Sequence, residues 1–250
     1  MQPETIRFFE ELSGNAWPGL QTVMDDGWLI RFAAGYTRRA NAVLPLYPGT
    51  RECPAKIERC ERWFAGQGLP AVFKMTPAAR PEELERLLAE RGYAYRAPTS
   101  LQTLELGSAP GPLPPGLTVE RAVTEGWLDE YCRFNGVAER DRPVLCRILA
   151  AIVPERLLVT LAVDGRAVAC GMIVVERGWC GLFDVVVDPE RRGRGHGHQL
   201  IRALLALGKQ RGAERAYLQV MAENGPALQL YAKHGFREEY LYWYRIKENC

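Results

Sequence analysis

The segment that most constrains the fold lies in the second half of the chain, where an apolar run at 183–187 is followed by Asp188, Pro189 and Glu190. A basic, glycine-rich loop comes next, and apolar residues then recur at helical spacing. In order, these residues are Arg191, Arg192, Gly193, Arg194, Gly195, His196, Gly197 and then Leu200, Ile201, Leu204 and Leu205. This order predicts a strand, a turn, a loop and an amphipathic helix.

The composition of the loop favours an anion as its ligand. Glycines let backbone N–H groups approach a ligand closely, and the helix that follows directs its positive N-terminal end at the same place. Arg191, Arg192 and Arg194 add charged donors that suit a diphosphate. A solvated basic turn is the alternative, but the position between a strand and a helix favours phosphate binding.

The spacing of the loop argues against two common nucleotide-binding motifs. The loop has no Gly-Lys-Ser/Thr ending, so the phosphate loop of NTPases is missing. A dinucleotide fold needs a strand ending in an acidic residue about 20 positions later, where 209–212 is still the end of the helix. Arg192, Gly195 and Gly197 instead resemble the Arg/Gln-x-x-Gly-x-Gly/Ala loop of the GNAT N-acetyltransferase superfamily.

The resemblance continues downstream and covers about 117–247, with its specific motifs confined to 183–236. The segment that matches the superfamily's Asn-x-x-Ala-x-x-x-Tyr-x-x-x-Gly-Phe pattern consists of Asn224, Ala227, Tyr231, Gly235 and Phe236. His196 departs from the pattern, because the superfamily usually has an aliphatic residue there. That departure concerns the packing of the loop rather than the identity of its ligand.

In GNAT proteins this loop holds the pyrophosphate of acetyl-coenzyme A (acetyl-CoA), and the strand before it pairs its backbone with the pantetheine arm. The resemblance therefore implies acetyl-CoA as the acetyl donor. It also implies that the cofactor-binding residues are Val185, Val186, Val187, Arg192, Gly193, Arg194, Gly195, His196, Gly197, His198, Asn224, Ala227, Tyr231 and Lys233.

Three residues are candidates for the catalytic steps. Tyr231 matches the tyrosine that protonates the leaving thiolate in the superfamily, although its helical face also fits a core position. An acceptor amine with a pKa of about 10.4 must also lose a proton, which costs about 4 kcal/mol near pH 7 unless a base helps. Asp184 on the strand and Glu223 beside Asn224 are the candidate bases, and either could simply face solvent.

Residues 1–106 repeat the order of elements found later in the chain. Val43 and Gly68 are 25 positions apart, as are Val187 and Gly212. Such self-similarity indicates two copies of one α/β unit, and shared loop lengths are the alternative. The predicted helices of the first copy cover 6–12, 56–65 and 81–90, and its predicted strands cover 28–32, 42–46 and 71–75.

The first copy lacks the features of the cofactor loop. Pro48-Gly49-Thr50-Arg51-Glu52-Cys53-Pro54 replaces the glycine-arginine loop, and Leu88 stands where the second copy has Tyr231. With few glycines and a proline that removes a donor, the segment is a poor phosphate cradle. The arrangement is similar to tandem GNAT proteins with one degenerate half, so we expect the first copy not to bind the cofactor.

Prolines and glycines concentrated at 107–116 predict a semi-rigid linker between the copies. We therefore expect a degenerate GNAT-like domain at 1–106 and a catalytic GNAT domain at 117–250. The fold class expected is α/β, with a central mixed β-sheet flanked by helices in each unit. In the second unit, strands are predicted at 117–120, 158–163, 168–176, 183–187, 216–220 and 240–244, and helices at 125–134 and 143–152.

Composition argues against several other classes of protein. A net charge of +2 over 250 residues gives no support to a nucleic-acid partner, and no segment approaches the roughly 20 apolar residues of a membrane span. The cysteines number seven, with no Cys-x-x-Cys pair, which favours reduced thiols in a cytoplasmic protein. No metal site is expected, because the three histidines lie far from Cys53 and Cys60.

The sequence thus predicts an acetyl-CoA-dependent N-acetyltransferase that acts on a small-molecule or peptide amine in a ternary complex, as a monomer or a homodimer. A non-catalytic acyl-CoA-binding or sensing protein is the alternative. Candidates for the acceptor site are the aromatic residues at 240–244 together with Trp28, Arg31, Arg38, Arg39 and Asn41.

Overall fold

The computed structural model describes residues 1–107 and 112–247. Residues 108–111, which belong to the predicted linker 107–116, lie outside the described part, as do residues 248–250. No helix in the described part combines the length and the apolar character that a membrane span needs.

The elements alternate between helices and strands along the whole chain. Before the linker they are α1 (Pro3–Ala16), β1 (Gln21–Asp25), β2 (Trp28–Phe32), β3 (Val43–Leu44), α2 (Cys53–Gly66), β4 (Val72–Met75), α3 (Leu84–Glu90) and β5 (Ala94–Glu105). After the linker they are β6 (Leu117–Glu120), α4 (Glu125–Asn135), α5 (Arg142–Ala150), β7 (Glu155–Val163), β8 (Arg166–Glu176), β9 (Trp179–Val187), α6 (His196–Gln210), β10 (Arg215–Met221), α7 (Gly225–Lys233) and β11 (Arg237–Ile246). Short 3-10 turns occupy Arg38–Ala40, Glu139–Asp141 and Pro189–Arg191.

These elements form two compact units whose boundaries differ from the predicted domains 1–106 and 117–250. The first unit contains Met1–Ser100, Met221–Glu223 and the residues of β11 from Glu239 onward. The second contains the described residues of Leu101–Val220 together with Asn224–Glu238. The difference arises because β5 and β11 each begin in one unit and end in the other, and a linker's composition carries no information about such strand pairing.

Each unit contains both parallel and antiparallel strand pairs. In the first, the strand order is β1-β2-β3-β4-β11 followed by the N-terminal part of β5, and β3 and β4 are parallel. In the second, the order is the C-terminal part of β5 followed by β10-β9-β8-β7-β6. Strands β9 and β10 are parallel there, while β6 to β9 pair antiparallel. The predicted mixed α/β class is therefore confirmed.

Helix α6 packs on the sheet of the second unit through the face that its sequence predicts. Leu200, Ile201 and Leu204 are buried in one cluster with residues of β7 to β10. The close approach depends on Gly208, where a Cβ atom would lie 2.5 Å from the Sγ of Cys180. This packing fixes the direction of a helix that begins immediately after the glycine-rich loop.

Local patterns account for most of the elements but not for two strands. The strands Trp28–Phe32 and Leu117–Glu120 match their predicted bounds, and the order of elements after the linker is as predicted. Strand β1 is exposed at four of its five positions, so it lacks the alternation that marks a half-buried strand. Strand β5 contains Pro98 beside Ala97, whose φ is +50°, and both interrupt a strand pattern.

The cysteines in the described part of the chain form no disulfide. Cys170 and Cys180 are buried, and burial raises the pKa of both thiols to about 12. Cys132 and Cys146 are half-buried.

An ion pair is buried inside the first unit. Glu10 Oε2 lies 2.6 Å from Lys74 Nζ, and their side chains are 0% and 5% exposed. The Tyr240 hydroxyl donates to Glu10 Oε1 at 3.0 Å, and Lys74 Nζ lies 4.0 Å from the centroid of the Tyr242 ring. Burial lowers the pKa of Lys74, and the charge of Glu10 opposes that shift. Glu10 therefore connects α1 to β4 and β11.

Replacing Glu10 with Gln is expected to lower the free energy of unfolding by about 3 kcal/mol or more, because the Lys74 ammonium would stay buried without a counter-charge. Urea unfolding followed by tryptophan fluorescence measures the loss. The double variant Glu10→Leu/Lys74→Met removes both charges and is expected to lie closer to the wild type. A single variant as stable as the wild type would show that the pair does not support the unit.

Candidate active site

A bulge in β9 shapes the candidate site. Opposite the single residue Gly171 of β8, strand β9 has two residues, Asp184 and Val185. Asp184 takes a φ of +53°, a left-handed conformation that Asp and Asn tolerate better than most residues. Bulges of this kind re-aim side chains and end regular pairing, and they often lie beside active sites.

The parallel ladder between β9 and β10 ends just before the bulge. Its last pair is Leu182 with Leu218, and within the described chain residues 183–187 of β9 keep strand partners only on the side of β8. The opposite edge of this backbone is open to a ligand that can add to it as another strand. Val185, Val186 and Val187, the predicted partners of the cofactor arm, occupy this open stretch and are half-buried.

The glycine-rich loop follows β9 directly, and Asp188 anchors its start. This residue is 7% exposed. Its Oδ1 accepts from the N–H of Glu190 at 3.0 Å, and its Oδ2 lies 3.4 Å from Arg133 Nη1. The loop is therefore held at its first residue, while Arg192 and Arg194 further along it are exposed.

The three glycines of the loop have two different roles. Gly193 and Gly195 have φ values of +76° and +85°, which favour glycine, although a Cβ atom at either would meet nothing within 4 Å. Gly197 lies in the first turn of α6, where a Cβ atom would come within 3.1 Å of the Leu230 side chain. Two glycines therefore set the path of the loop, and the third lets α6 approach α7.

The first turn of α6 presents its N–H groups to the loop. Gln199 makes the first hydrogen bond of the helix, to the carbonyl of Gly195, so the N–H groups before it lack helical partners. No acidic residue lies in this turn. With Arg192 and Arg194 nearby in the chain, the positive end of the helix is suited to an anion.

The two histidines of this turn have different surroundings. His196 Nδ1 is buried and has no hydrogen-bond partner in the described part of the chain, so a ligand at the loop can supply one. His198 Nδ1 instead lies 3.0 Å from His234 Nε2, which links α6 to the end of α7. Burial lowers the pKa of His234, and His198 and Arg202 lower it further. The predicted contact of His198 with a cofactor stays a prediction.

Helix α7 and the residues at its two ends carry the Asn-x-x-Ala-x-x-x-Tyr-x-x-x-Gly-Phe pattern. Asn224 Oδ1 accepts from the N–H of Ala227 at 3.2 Å and so caps the helix. Tyr231 is 9% exposed and packs edge-on against Phe236. Burial raises the pKa of Tyr231 to about 12, so its phenol stays protonated near neutral pH. Lys233 is exposed in the last turn.

Asp184 is held by helix α4, a contact that the sequence did not reveal. The Tyr131 hydroxyl donates to Asp184 Oδ1 at 3.1 Å, and Asn135 Nδ2 donates to the Tyr131 oxygen at 3.0 Å. Trp127 stacks on Tyr131 with ring centroids 5.0 Å apart. The only local signal for this arrangement is the spacing of Tyr131 and Asn135, which are one helical turn apart.

The two candidate bases lie in different units. Glu223 is exposed in the turn between β10 and α7 and belongs to the first unit. Asp184 belongs to the second unit, together with the glycine-rich loop and Tyr231. The second unit therefore combines a loop suited to an anion, an open strand edge, a carboxylate and a protonated phenol, which are groups that acyl transfer to an amine can use.

Most of the candidates for the acceptor site are part of the core of the first unit. Trp28 is fully buried and donates to the carbonyl of Arg80 at 2.8 Å. Arg31 is also buried, which lowers its pKa to about 10, and it donates to the carbonyl of Trp17. Three aromatic residues of β11 are also buried, namely Tyr240, Tyr242 and Tyr244.

In the first unit, a carboxylate of the chain itself occupies the loop that is predicted to correspond to the glycine-rich loop. This loop, at 48–52, lies between β3 and α2. The N–H groups of Thr50 and Arg51 donate to Asp26 Oδ1 and Oδ2 at 2.8 and 3.0 Å. Lys56 Nζ lies 3.1 Å from Asp26 Oδ2. These backbone donors, with help from Lys56, hold the pKa of Asp26 well below its usual range.

The packing around this carboxylate is tight. A Cβ atom at Gly49 would lie 2.2 Å from Asp26 Oδ2. The Lys56 side chain is 1% exposed, and its Nζ lies 4.1 Å from the centroid of the Trp28 ring. The groups that could bind a phosphate at this loop are therefore already engaged, which supports the prediction that the first copy does not hold the cofactor there.

The chain belongs to the GNAT N-acetyltransferase superfamily, in the family described as probable histone acetyltransferase Rv0428c C-terminal, which matches residues 4–245. It is 30% identical over 248 residues to the uncharacterized N-acetyltransferase YobR of Bacillus subtilis (strain 168), and the match covers 98% of this chain and 99% of that protein. The protein is thus an acyltransferase of the GNAT type, as the sequence predicts.

Two solved structures share the fold. A GCN5-related N-acetyltransferase from Kribbella flavida matches with a TM-score of 0.69 and 18% identity, over 98% of this chain and 95% of that one. A tandem GNAT protein from the clavulanic acid biosynthesis pathway matches with a TM-score of 0.63 and 12% identity, over 96% of this chain and 88% of that one. Both likenesses concern the architecture of the chain.

The variant Asp26→Gly is expected to lower the midpoint of thermal unfolding more than Asp164→Gly does. Both aspartates begin Asp-Gly turns, with φ values of +47° and +51°, so the backbone effects of the two changes are matched. The remaining difference between the two unfolding midpoints therefore measures the effect of removing the carboxylate that Thr50, Arg51 and Lys56 contact.

The pH dependence of that difference follows from the lowered pKa of Asp26 in the folded protein. The contribution is fully present near neutral pH and is expected to shrink as the pH falls below about 4, where the unfolded chain binds the proton first. Equal midpoints for the two variants at neutral pH would mean that the carboxylate does not support the loop.

Proposed function

We propose that this protein transfers an acetyl group from acetyl-CoA to a primary amine of a small molecule or peptide, by direct attack within a ternary complex. The observation that carries the proposal is the open edge of β9, which leads directly into the glycine-rich loop and the positive end of α6. A long ligand with phosphates at one end and an acyl group at the other fits both features.

The residues present fit such a ligand. The N–H groups of the first turn of α6 and the side chains of Arg192 and Arg194 would hold the pyrophosphate. The backbone of 185–187 would pair with the pantetheine arm, while the side chains of Val185 and Val187 pack against the core of the second unit. The buried Nδ1 of His196 offers one more polar contact at the loop.

When bound, acetyl-CoA supplies the thioester that the amine attacks and the thiol that leaves. The chain must then supply a base, because deprotonating an ordinary amine costs about 4 kcal/mol near pH 7. Asp184 is proposed as the group that accepts this proton, directly or through one water molecule. It lies at the bulge, where the edge of β9 becomes open, and so beside the expected path of the acyl arm.

Tyr131 and Asn135 are proposed as positioning residues for Asp184. Because Asn135 donates to the phenolic oxygen of Tyr131, the hydroxyl hydrogen of Tyr131 is directed to Asp184 Oδ1. These contacts would fix the orientation of the Asp184 carboxylate beside the open edge of β9. Stacking with Trp127 holds the Tyr131 ring in place for this contact.

Tyr231 is proposed as the donor that protonates the leaving thiolate. Its pKa is raised to about 12 by burial, so it is protonated throughout the pH range in which the amine reacts. The tyrosine belongs to the same unit as the loop and Asp184. In this proposal the second unit performs the chemistry, and the first is a degenerate copy whose loop is occupied by Asp26.

Acetyl-CoA is expected to bind with micromolar affinity in calorimetric titration and at least about 100-fold more weakly to Gly195→Glu, because the new carboxylate places negative charge at the anion site. Gly212→Glu is the matched control, since Gly212 has the same φ of +85° and open space but follows the other end of α6. The control is expected to bind like the wild type. Wild-type affinity in both variants would show that the loop does not bind the pyrophosphate of acetyl-CoA.

Asp184→Asn is expected to lower kcat by about 10²-fold or more, measured as thiol release over a panel of primary amines and peptide N-termini. Asn tolerates the left-handed backbone and still accepts from Tyr131, so the change isolates the loss of the base.

Tyr231→Phe is expected to lower kcat by a similar factor, with unchanged affinity for acetyl-CoA. Tyr131→Phe is expected to lower kcat less than Asp184→Asn does and to shift the pH profile of kcat.

The same panel separates the alternatives. If Asp184→Asn keeps the wild-type kcat, the base is another group, and Glu223→Gln is the next variant to measure. If the wild type binds acetyl-CoA but releases thiol at a rate that neither amines nor Tyr231→Phe change, the protein is an acyl-CoA-binding protein rather than an amine acetyltransferase.

A further inference from the structure

The first unit contains a pocket of about 330 Å³ that shares no lining residue with the loop at 48–52. Its apolar lining comes from the end of α2, the start of β4 and the end of β11, through Phe64, Val72 and Ile246. A volume in this range is typical of sites that take small organic molecules. The floor of the pocket can therefore bury a compact apolar group.

Two arginines and an asparagine supply the polar part of the lining. Arg38 is exposed and lies on the 3-10 turn that follows the loop at 33–37. Arg96 lies on β5 and donates one N–H group to the carbonyl of Tyr95 at 3.1 Å. A guanidinium has five N–H donors in a planar fork, a shape that matches a carboxylate.

The loop that carries Arg38 is organised by a buried side chain. Asn41 is 4% exposed, and its Oδ1 accepts from the N–H groups of Ala33 and Gly35 at 2.7 and 2.9 Å. Its Nδ2 donates to the carbonyls of Tyr36 and Thr37 at 2.8 Å each. One amide therefore fixes the whole turn on the rim of the pocket.

This loop also holds a strained residue immediately before Arg38. Thr37 has φ +58° and ψ +137°, a region of the backbone map that β-branched residues almost never occupy. Trp17 Nε1 donates to the Thr37 hydroxyl at 2.9 Å, so Thr37 is held by Trp17 as well as by Asn41. Strain that the surroundings enforce in this way is concentrated at functional sites.

We propose that this pocket binds a small molecule with a carboxylate on a compact aromatic or branched apolar body. The apolar floor would take the body, and Arg38 and Arg96 would bind the carboxylate, whose planar shape matches a guanidinium fork. The strained loop keeps Arg38 at the rim in advance, so little order has to be gained on binding. The site does not depend on acetyl transfer.

The test uses 4-(trifluoromethyl)phenylacetate as the probe and its uncharged amide as the comparator, with binding followed by fluorine NMR on the full chain. The acid is expected to bind at least about 10-fold more tightly than the amide, because only the acid has the charge that the arginines recognise. Equal binding of the two, or no binding of the acid at about 10 mM, overturns the proposal.

Variants then locate the site. The double variant Arg38→Gln/Arg96→Gln is expected to weaken binding of the acid by about 10-fold or more and to leave the amide unaffected. Arg62→Gln/Arg86→Gln removes two exposed arginines of α2 and α3 and is the control for net charge. A control that weakens the acid equally would overturn the assignment of the site.

A third variant keeps both arginines. Ile246→Asp places a negative charge on the lining from β11 and is expected to abolish binding of the acid, because the carboxylate is repelled. The midpoint of thermal unfolding confirms that each variant remains folded. Unchanged binding of the acid to folded Ile246→Asp would place the probe elsewhere.

Discussion

The early end of the β9–β10 ladder is the feature on which the candidate active site depends. Backbone N–H and carbonyl groups inside a sheet are almost always paired, so an interior strand with an unpaired edge requires water or a ligand to complete it. Beyond Leu182 and Leu218 the edge of β9 has that character. The bulge, the glycine-rich loop and the first turn of α6 all follow within a short stretch of chain, so one ligand can engage them together.

The sequence could predict this loop because its signals are local. Glycine, arginine and apolar residues follow one another in the order that a strand, a loop and a helix need, and α6 begins where that order places it. The conformation of Asp184 could not be predicted, because a bulge depends on the register between two strands. The contact with Tyr131 was equally hidden, since it joins residues 53 positions apart.

In each unit, the loop between a strand and a helix has hydrogen-bond donors that need acceptors, and the two units differ in where those acceptors come from. In the second, glycines and arginines leave donors for a ligand. In the first, the turn between β1 and β2 supplies Asp26, which accepts from Thr50 and Arg51. The sequence predicts a poor phosphate site at the first loop, because that loop has few glycines and a proline that removes a donor. The Asp26 carboxylate could not be predicted, because Asp26 follows β1, an exposed strand without the alternation that marks a half-buried strand.

The placement of β11 has a consequence for how the chain is made. The residues of β11 from Glu239 onward complete the first unit, which also contains Met1. During synthesis, Glu10 and Lys74 are therefore present long before Tyr240, which donates to Glu10 in the finished protein. The N-terminal half cannot reach its final packing on the ribosome until the last strand has emerged. A chain that ended after the glycine-rich loop but before β11 would therefore lack a strand of the first unit, even though every residue of the loop was present.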